Sequence, residues 1–273
     1  MSNKKFISPE IEKNTIEELS KQLIKANAEL KKLQEEREIM FANISHDLRA
    51  PMTAIRSAID LALSEENPSK AELLSTIELI DRRSKTLESL VNDMYFLYSV
   101  SNVPKAFECE EIEAAPFLEE YFYDLQTDSR FDDFEMVLDI EHGMDCVINI
   151  DVQKMIRVLD NLFTNAARYA LDDKVTKKPC ISLKASCDTE RLTVSVIDNG
   201  PGISEKDLPY VFMRTYTVSD SRTPESSKSG SGLGLSIAKA IVEKHNGIIE
   251  CKSVLGEGTE FVISLPITTM LIK

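Results

Sequence analysis

Apolar residues recur at Leu19, Leu23, Ala26, Leu30, Leu33, Met40 and Ile44, in alternating steps of four and three once Arg37 is allowed one slot. Such a seam over more than three heptads predicts a coiled-coil helix, beginning near Pro9 after a disordered leader over residues 1–8. The steps from Met40 to Ile44 to Leu48 are both four residues, a stutter that locally unwinds a supercoil. The pattern runs on through Ile55, Ala58 or Ile59, and Ala62, with Pro51 inside it, which predicts a kink. Glu65-Glu66-Asn67-Pro68-Ser69 reads as a turn, and Ser69 as the cap of a second helix carrying Leu73, Ile77, Ile80, Leu87, Leu90 or Val91, Met94 and Leu97. Two such helices make a narrow hairpin, and two hairpins close a four-helix bundle. A parallel homodimer is therefore expected, rather than a monomer that folds the hairpin onto its own second domain.

Past Ser101-Asn102-Val103-Pro104 the period changes. Strands are predicted over 106–112, 135–140, 145–150, 181–187, 191–197, 248–254 and 259–265. Helices are predicted over 116–128, from an Asp151 cap to Ala170, and over 233–245, with loops over 171–179 and 199–231. Elements so mixed predict an α+β two-layer sandwich, its sheet covered by helices on one face. The domains are then a leader and coiled-coil helix (1–35), a helical hairpin (36–101), a linker (102–107) and a second domain (108–273).

Composition narrows the function classes. A net charge of −14 argues against a nucleic-acid surface. Between Glu108 and Asp145 the only Lys or Arg is Arg130, an acidic run read as a solvated face. Five cysteines without metal-type spacing fit free, mostly buried thiols in a reducing cytoplasm. No secretory signal and no apolar run near the ~18 residues of a membrane helix is present, so a cytoplasmic protein or the cytoplasmic part of a membrane sensor is expected.

Candidate chemistry begins with His46, beside Asp47 in Phe41-Ala-Asn-Ile-Ser-His46-Asp47-Leu48-Arg49-Ala50-Pro51. On a helix His46 lies opposite the ridge of Ile44, Leu48, Pro51 and Ile55, so its ring is expected to face outward. A neutral imidazole is a nucleophile near neutral pH, and an adjacent carboxylate can take the proton from one nitrogen while the other attacks. A surface histidine next to an unrelated acid would look the same.

Three later stretches point to a nucleotide site. Asn161, Asn165 and Arg168 share one helix face, opposite Leu159, Leu162, Phe163 and Ala166. Amide oxygens suit a magnesium ion that keeps most of its waters; Arg168 can neutralise phosphate and Tyr169 can pack on a base. Asp198-Asn199-Gly200-Pro201-Gly202 closes a β-branched strand, where an acid can accept from an exocyclic amine and the glycines allow close backbone approach. Gly230, Gly232 and Gly234 open a helix and can turn N–H groups onto phosphate. The polar stretch between them, with Arg214, Tyr216 and Arg222, reads as a lid or a plain loop.

Taken in this order, the motifs resemble those of sensor histidine kinases of two-component systems. Residues 41–51 are similar to the family's histidine box, 160–169 to its asparagine box, and 198–202 and 230–235 to its glycine boxes. Phe212, Arg214 and Tyr216 resemble its phenylalanine box, although Met213 and Thr215 depart from the usual acidic and aromatic residues. The resemblance spans about 36–266. It implies a dimeric hairpin followed by a Bergerat (GHKL) ATPase sandwich, ATP and Mg2+ as cofactors, and an aspartate on a response regulator receiver domain as the phosphoryl acceptor. By that match His46 is phosphorylated with Asp47 as base, and Asn161 and Asn165 serve the metal. Arg168, Tyr169, Asp198, Gly200, Gly202, Arg214, Gly230, Gly232, Leu233, Gly234, Leu235 and Thr259 line ATP. Ala50 stands where most members carry the Thr or Ser tied to dephosphorylating the regulator, which implies weak phosphatase activity. The rival readings are a conformational-clamp ATPase of the same nucleotide fold and a non-catalytic dimeric scaffold. His142, in a Glu-His-Gly turn, is expected to be solvated, and His245 to favour a helix C-terminus.

Overall fold

The computed structural model describes residues 9–65, 67–102, 107–170, 178–213 and 232–270. Two long helices come first, α1 (Pro9–Ser64) and α2 (Lys70–Asn102), which pack on each other. Helix α1 continues through Pro51, whose ring removes the donor that would otherwise reach the Asp47 carbonyl. On the seam, Leu19 (59%), Leu23 (64%) and Leu30 (58%) are exposed in the single chain, whereas Ile44 and Ala58 are buried. The side chains of Leu33, Arg37 and Met40 lie outside the described residues.

The turn into α2 is a reciprocal cap. The Ser69 N–H donates to a Glu72 carboxylate oxygen at 2.8 Å, and the Glu72 N–H donates to Ser69 Oγ at 3.2 Å. Two N-terminal donors are satisfied at once. These bonds, the Ser69 side chain first, hold the Glu72 carboxyl below its ordinary range.

The second domain is a seven-stranded sheet in the order β1-β3-β7-β5-β4-β2, with β6 also on β7. Its strands are β1 (Glu110–Glu113), β2 (Glu135–Ile140), β3 (Cys146–Ile150), β4 (Cys180–Cys187), β5 (Arg191–Asp198), β6 (Ile248–Val254) and β7 (Gly258–Met270). Among the described residues only β2 and β4 pair in parallel. Helices α3 (Ala114–Gln126), α4 (Val152–Ala170) and α5 (Gly234–Lys244) cover one face. Alternation supplies the sheet's share of the core: Ile181, Leu183, Ala185, Leu192, Val194, Val196, Phe261, Ile263 and Leu265 are all buried. Asp151 caps α4 as expected, accepting from the Lys154 N–H at 3.1 Å.

Several boundaries differ from the sequence reading, each for a local reason. The strand expected over 106–112 begins at Glu110, because Phe107 packs edge-on against His245 and the Glu108 N–H donates to Asp151. Ala106 lies outside the described residues. Helix α3 begins at Ala114, before Pro116, since the first helical N–H groups lack partners anyway and a proline there loses nothing. Strand β7 passes Pro266 and runs to Met270, where it leaves β5 and pairs with β3. All five cysteines are free, but only Cys146 is fully buried and Cys109 is exposed.

The end of α2 rests on the second domain. Leu90, Phe96, Leu97 and Val100 join its hydrophobic core. Arg157 of α4 places its guanidinium 4.0 Å from the Phe96 ring centroid and pairs with Asp93 at 2.6 Å. The hairpin thus does fold partly onto its own second domain, while the seam stays bare.

Replacing Ser69 with Ala should destabilise the helical hairpin by about 1 kcal/mol. Urea unfolding followed by helical circular dichroism measures it. Because the Glu72 carboxyl titrates lower in the folded chain, its support is present above the ordinary carboxylate range and is lost as pH falls through it.

Candidate active site

Helix α1 turns Ile44, Leu48, Pro51 and Ile55 toward packing, so the residue two places after Ile44 must face away. The His46 side chain is 76% exposed and that of Asp47 35%, with Nδ1 of the ring 3.4 Å from the Asp47 carboxylate. Nδ1 is thereby engaged, and Nε2, across the ring, is the nitrogen presented outward. Among the described residues no polar or ring contact joins His46 to the second domain.

In the second domain, α4 buries Val158, Leu159, Leu162, Phe163 and Ala166 and leaves Asn161, Asn165, Arg168 and Tyr169 half-exposed on its other side. The Asn161 Nδ2 is buried with no hydrogen-bond partner. A buried orphan donor costs roughly 1–3 kcal/mol, so it calls for a ligand or water. Helix α5 meets α4 here: a Cβ on Gly234 would stand 3.2 Å from Asn161 Oδ1.

At the far end of β5, Asp198 is only 7% exposed. Burial pushes its carboxyl up to about 6, opposed by backbone N–H bonds from Gly200 and Thr259. The Gly200 bond is 2.9 Å long. Gly200 also lies against the last residue of α4, where a Cβ would come 3.3 Å from Ala170 Cα. One glycine contact thus joins α4 to the end of β5, and another joins it to the start of α5. The half-exposed face of α4 runs from the start of α5 to the end of β5, where Asp198 stands.

Gly202 (φ 72°) turns the chain where a side chain would strike the Val254 carbonyl. Gly232 also has positive φ, 64°. Leu233 is fully buried and Leu235 packs against the core, so these two of the expected ATP-lining residues hold the helix rather than offer side chains to the site. Phe212 packs on Phe261 at 6.2 Å. Arg214, Thr215, Tyr216, Arg222 and Gly230 lie outside the described residues.

Two residues escaped the sequence reading. Ser253 Oγ accepts from the Ile203 N–H at 2.8 Å, donates to the Gly258 carbonyl at 2.6 Å and meets Thr259 Oγ1 at 3.1 Å. Gly258 (φ 130°) passes where a Cβ would strike the Asp198 carbonyl. Together they set Thr259 beside Asp198; the Gly256-Glu257-Gly258-Thr259 spacing was the available signal.

His142 is exposed, as expected. His245 stands at the C-terminal end of α5, as expected, but its role there is not that of an exposed charge. It is 5% exposed and accepts from the Asp151 N–H through Nε2 at 2.9 Å, while Nδ1–H donates to the Ile241 carbonyl at 2.8 Å. That tautomer is neutral, and burial lowers the ring's pKa. It is a buried staple, not a charge complementing the helix end.

Comparison with known proteins agrees with both halves. Residues 36–102 match the "His Kinase A (phospho-acceptor) domain", and residues 150–269 match the "Histidine kinase-, DNA gyrase B-, and HSP90-like ATPase" family. The sensor protein kinase WalK of Staphylococcus aureus is 34% identical over 240 residues, covering 87% of this chain and 55% of that protein. In strain JH9 the same match covers 38% of WalK, so the chain spans about half or less of these relatives. Histidine kinase ThkA, solved in complex with response regulator protein TrrA, shares the fold at a TM-score of 0.65 and 21% identity, over 86% of this chain and 65% of ThkA. Full-length ShkA in complex with AMPPNP aligns at a TM-score of 0.60 and 18% identity, over 88% of this chain and 46% of ShkA. A phosphoacceptor hairpin joined to a Bergerat-type ATPase domain, with these relatives, makes the chain a member of the sensor histidine kinase family, of which it carries the catalytic portion.

Proposed function

We propose that this chain is an ATP-dependent protein histidine kinase that phosphorylates His46 and passes the phosphoryl group to an aspartate of a response regulator. The observation that carries the reading is the exposed His46 ring, held through Nδ1 by Asp47 on a helix attached to a nucleotide-type domain. In the step, Nε2 attacks the γ-phosphorus of ATP, an N–P bond forms, the bond to the bridging oxygen breaks and ADP leaves. Asp47 draws the Nδ1 proton, so the ring ends as a neutral phosphoramidate. Catalysis is otherwise positioning and charge neutralisation.

Asp198 would accept from the adenine amine, with Thr259 beside it and Tyr169 against the base. Gly200 and Gly202 shape the base pocket, and Arg168 and Arg214 neutralise phosphate. Gly230, Gly232 and Gly234 close on the phosphates through their backbone, with Leu233 and Leu235 anchoring that helix. Asn161 and Asn165 would hold Mg2+ through their amide oxygens, which are suitable neutral ligands, while the unpartnered Asn161 Nδ2 is a donor suited to a phosphate oxygen. The metal supplies charge neutralisation at the phosphates when bound.

A second copy would cover Leu19, Leu23 and Leu30, giving a parallel homodimer. The described residues include no helix long and apolar enough to cross a membrane, and a kinase that draws on ATP would work on the cytoplasmic side. Ala50, exposed one turn beyond His46, has no hydroxyl to orient a water, so dephosphorylation of the regulator is weak in this reading.

With γ-labelled ATP and Mg2+, acid-labile, base-stable label should appear on the protein and vanish in His46→Ala. Release of phosphate without self-labelling would instead indicate a clamp ATPase, and neither would indicate a scaffold. Phosphorylated regulator incubated with the chain and ADP should lose its phosphate no faster than alone. Sedimentation should give a dimer that Leu23→Lys weakens.

Ionised Asp198 is a stronger acceptor for the adenine amine than its protonated form, so ADP affinity should hold above pH about 6 and fall below it. Asp198→Asn should weaken ADP by about tenfold or more. Because the folded pKa lies above the unfolded one, the stability Asp198 contributes is present at low pH and lost as pH rises through about 6. The unliganded Asn variant should therefore be more stable at pH 7.5, by an amount on the order of 2–3 kcal/mol. Calorimetric titration and thermal unfolding separate the two effects.

A further inference from the structure

Helices α4 and α5 lie side by side and antiparallel, since the end of α5 touches the start of α4 and the start of α5 touches the middle of α4. At one end His245 makes the cross-link. Its Nε2 can only accept from the Asp151 N–H, and its Nδ1–H can only donate to the Ile241 carbonyl, so the two bonds fix one tautomer. Asp151 is held from three sides: its N–H by His245, and its carboxylate by the N–H groups of Glu108 and Lys154. Phe107, next to Glu108, closes the ring edge-on at 5.2 Å.

At the other end stand the groups assigned to the nucleotide. Asn161 lies ten residues beyond Asp151, and Gly234 eleven residues before His245. At 1.5 Å per residue these are arms of about 15 and 16 Å, so the cross-link and the site are at matched distances along the pair. A rotation of about 4° at the cross-link moves the far end by about 1 Å, enough to cost a large part of a well-oriented binding geometry.

We propose that His245 is a positioning residue for nucleotide binding: it ties the start of α4 to the end of α5 and thereby sets the gap between Asn161 and the glycines that open α5. The inference rests on the nucleotide reading above. A filler of the core would be equally well served by an aromatic ring of similar size. A tie needs an acceptor where Nε2 stands. Burial, which disfavours the charged ring, keeps that acceptor available.

The distinction is tested in the full chain by titrating Mg-ADP into wild type, His245→Phe and His245→Gln, with unfolding temperatures recorded without ligand. Phenylalanine keeps the ring and its contact with Phe107; glutamine keeps an acceptor that reaches the Asp151 N–H. Folded His245→Phe should bind ADP more weakly by roughly fivefold to tenfold, and His245→Gln should recover to within about twofold of wild type. Wild-type affinity in folded His245→Phe, or equal losses in both variants, overturns the tie. Should His245→Phe fail to fold, the wild-type ring decides: ADP saturation should shift its Nε2 nitrogen resonance while the tautomer is kept, and an unmoved resonance overturns the proposal. A wild-type chain that binds no ADP overturns the nucleotide reading itself, a result distinct from any difference among variants.

Discussion

The second domain depends on burying one face of α4. Val158, Leu159, Leu162, Phe163 and Ala166 are each 1% exposed or less. Leucine- and phenylalanine-sized side chains contribute about 1.5–3 kcal/mol apiece when fully buried. That sum exceeds the roughly 1–3 kcal/mol of one unpartnered amide, so α4 can place the Asn161 Nδ2 without a protein partner and keep its seat. At 3.6 residues per turn, seating one face obliges Asn161, Asn165 and Arg168 to share the other. The chemistry of the site is a by-product of the packing that holds the domain together.

Two close approaches tie that helix to its neighbours. Gly200 lets the end of β5 reach the last residue of α4, and Gly234 lets α5 reach Asn161. Neither neighbour leaves room for a side chain to come in without something yielding. The buried carboxylate of Asp198 is held by backbone donors, yet with a pKa of about 6 it is still largely ionised at neutral pH. It is a strong acceptor kept under strain by burial, which suits a ligand that brings its own donor.

The hairpin follows different physics. One end of α2 shares a core with the second domain through Phe96, Leu97 and Val100, reinforced by Arg157 stacked on Phe96 and paired with Asp93. The N-terminal part of α1, which runs on past the end of α2, exposes leucines at the spacing of a coiled-coil seam. The chain is thus anchored to itself where the domains meet and incomplete where the long helix runs out. His46 lies along the same helix, with its packed ridge behind it and its ring in the open.

Local periodicity and local chemistry were legible in the sequence. The long α1, the Ser69 cap, the Asp151 cap, the alternation of β4 and β5 and the outward direction of His46 all follow from residues within a turn or two of one another. What depended on distant partners was not legible. Strand β7 outruns Pro266 because β3 waits there, and the segment before Glu110 leaves the ladder because Asp151 and His245 take its contacts. Ser253 and Gly258 matter because folding sets them beside Asp198, and His245 became a neutral tie because Asp151, 94 residues away, offers it an N–H. A sequence states which groups a residue carries and how its neighbours turn. Which donor meets which acceptor across the core is decided only when the sheet brings them within hydrogen-bond reach.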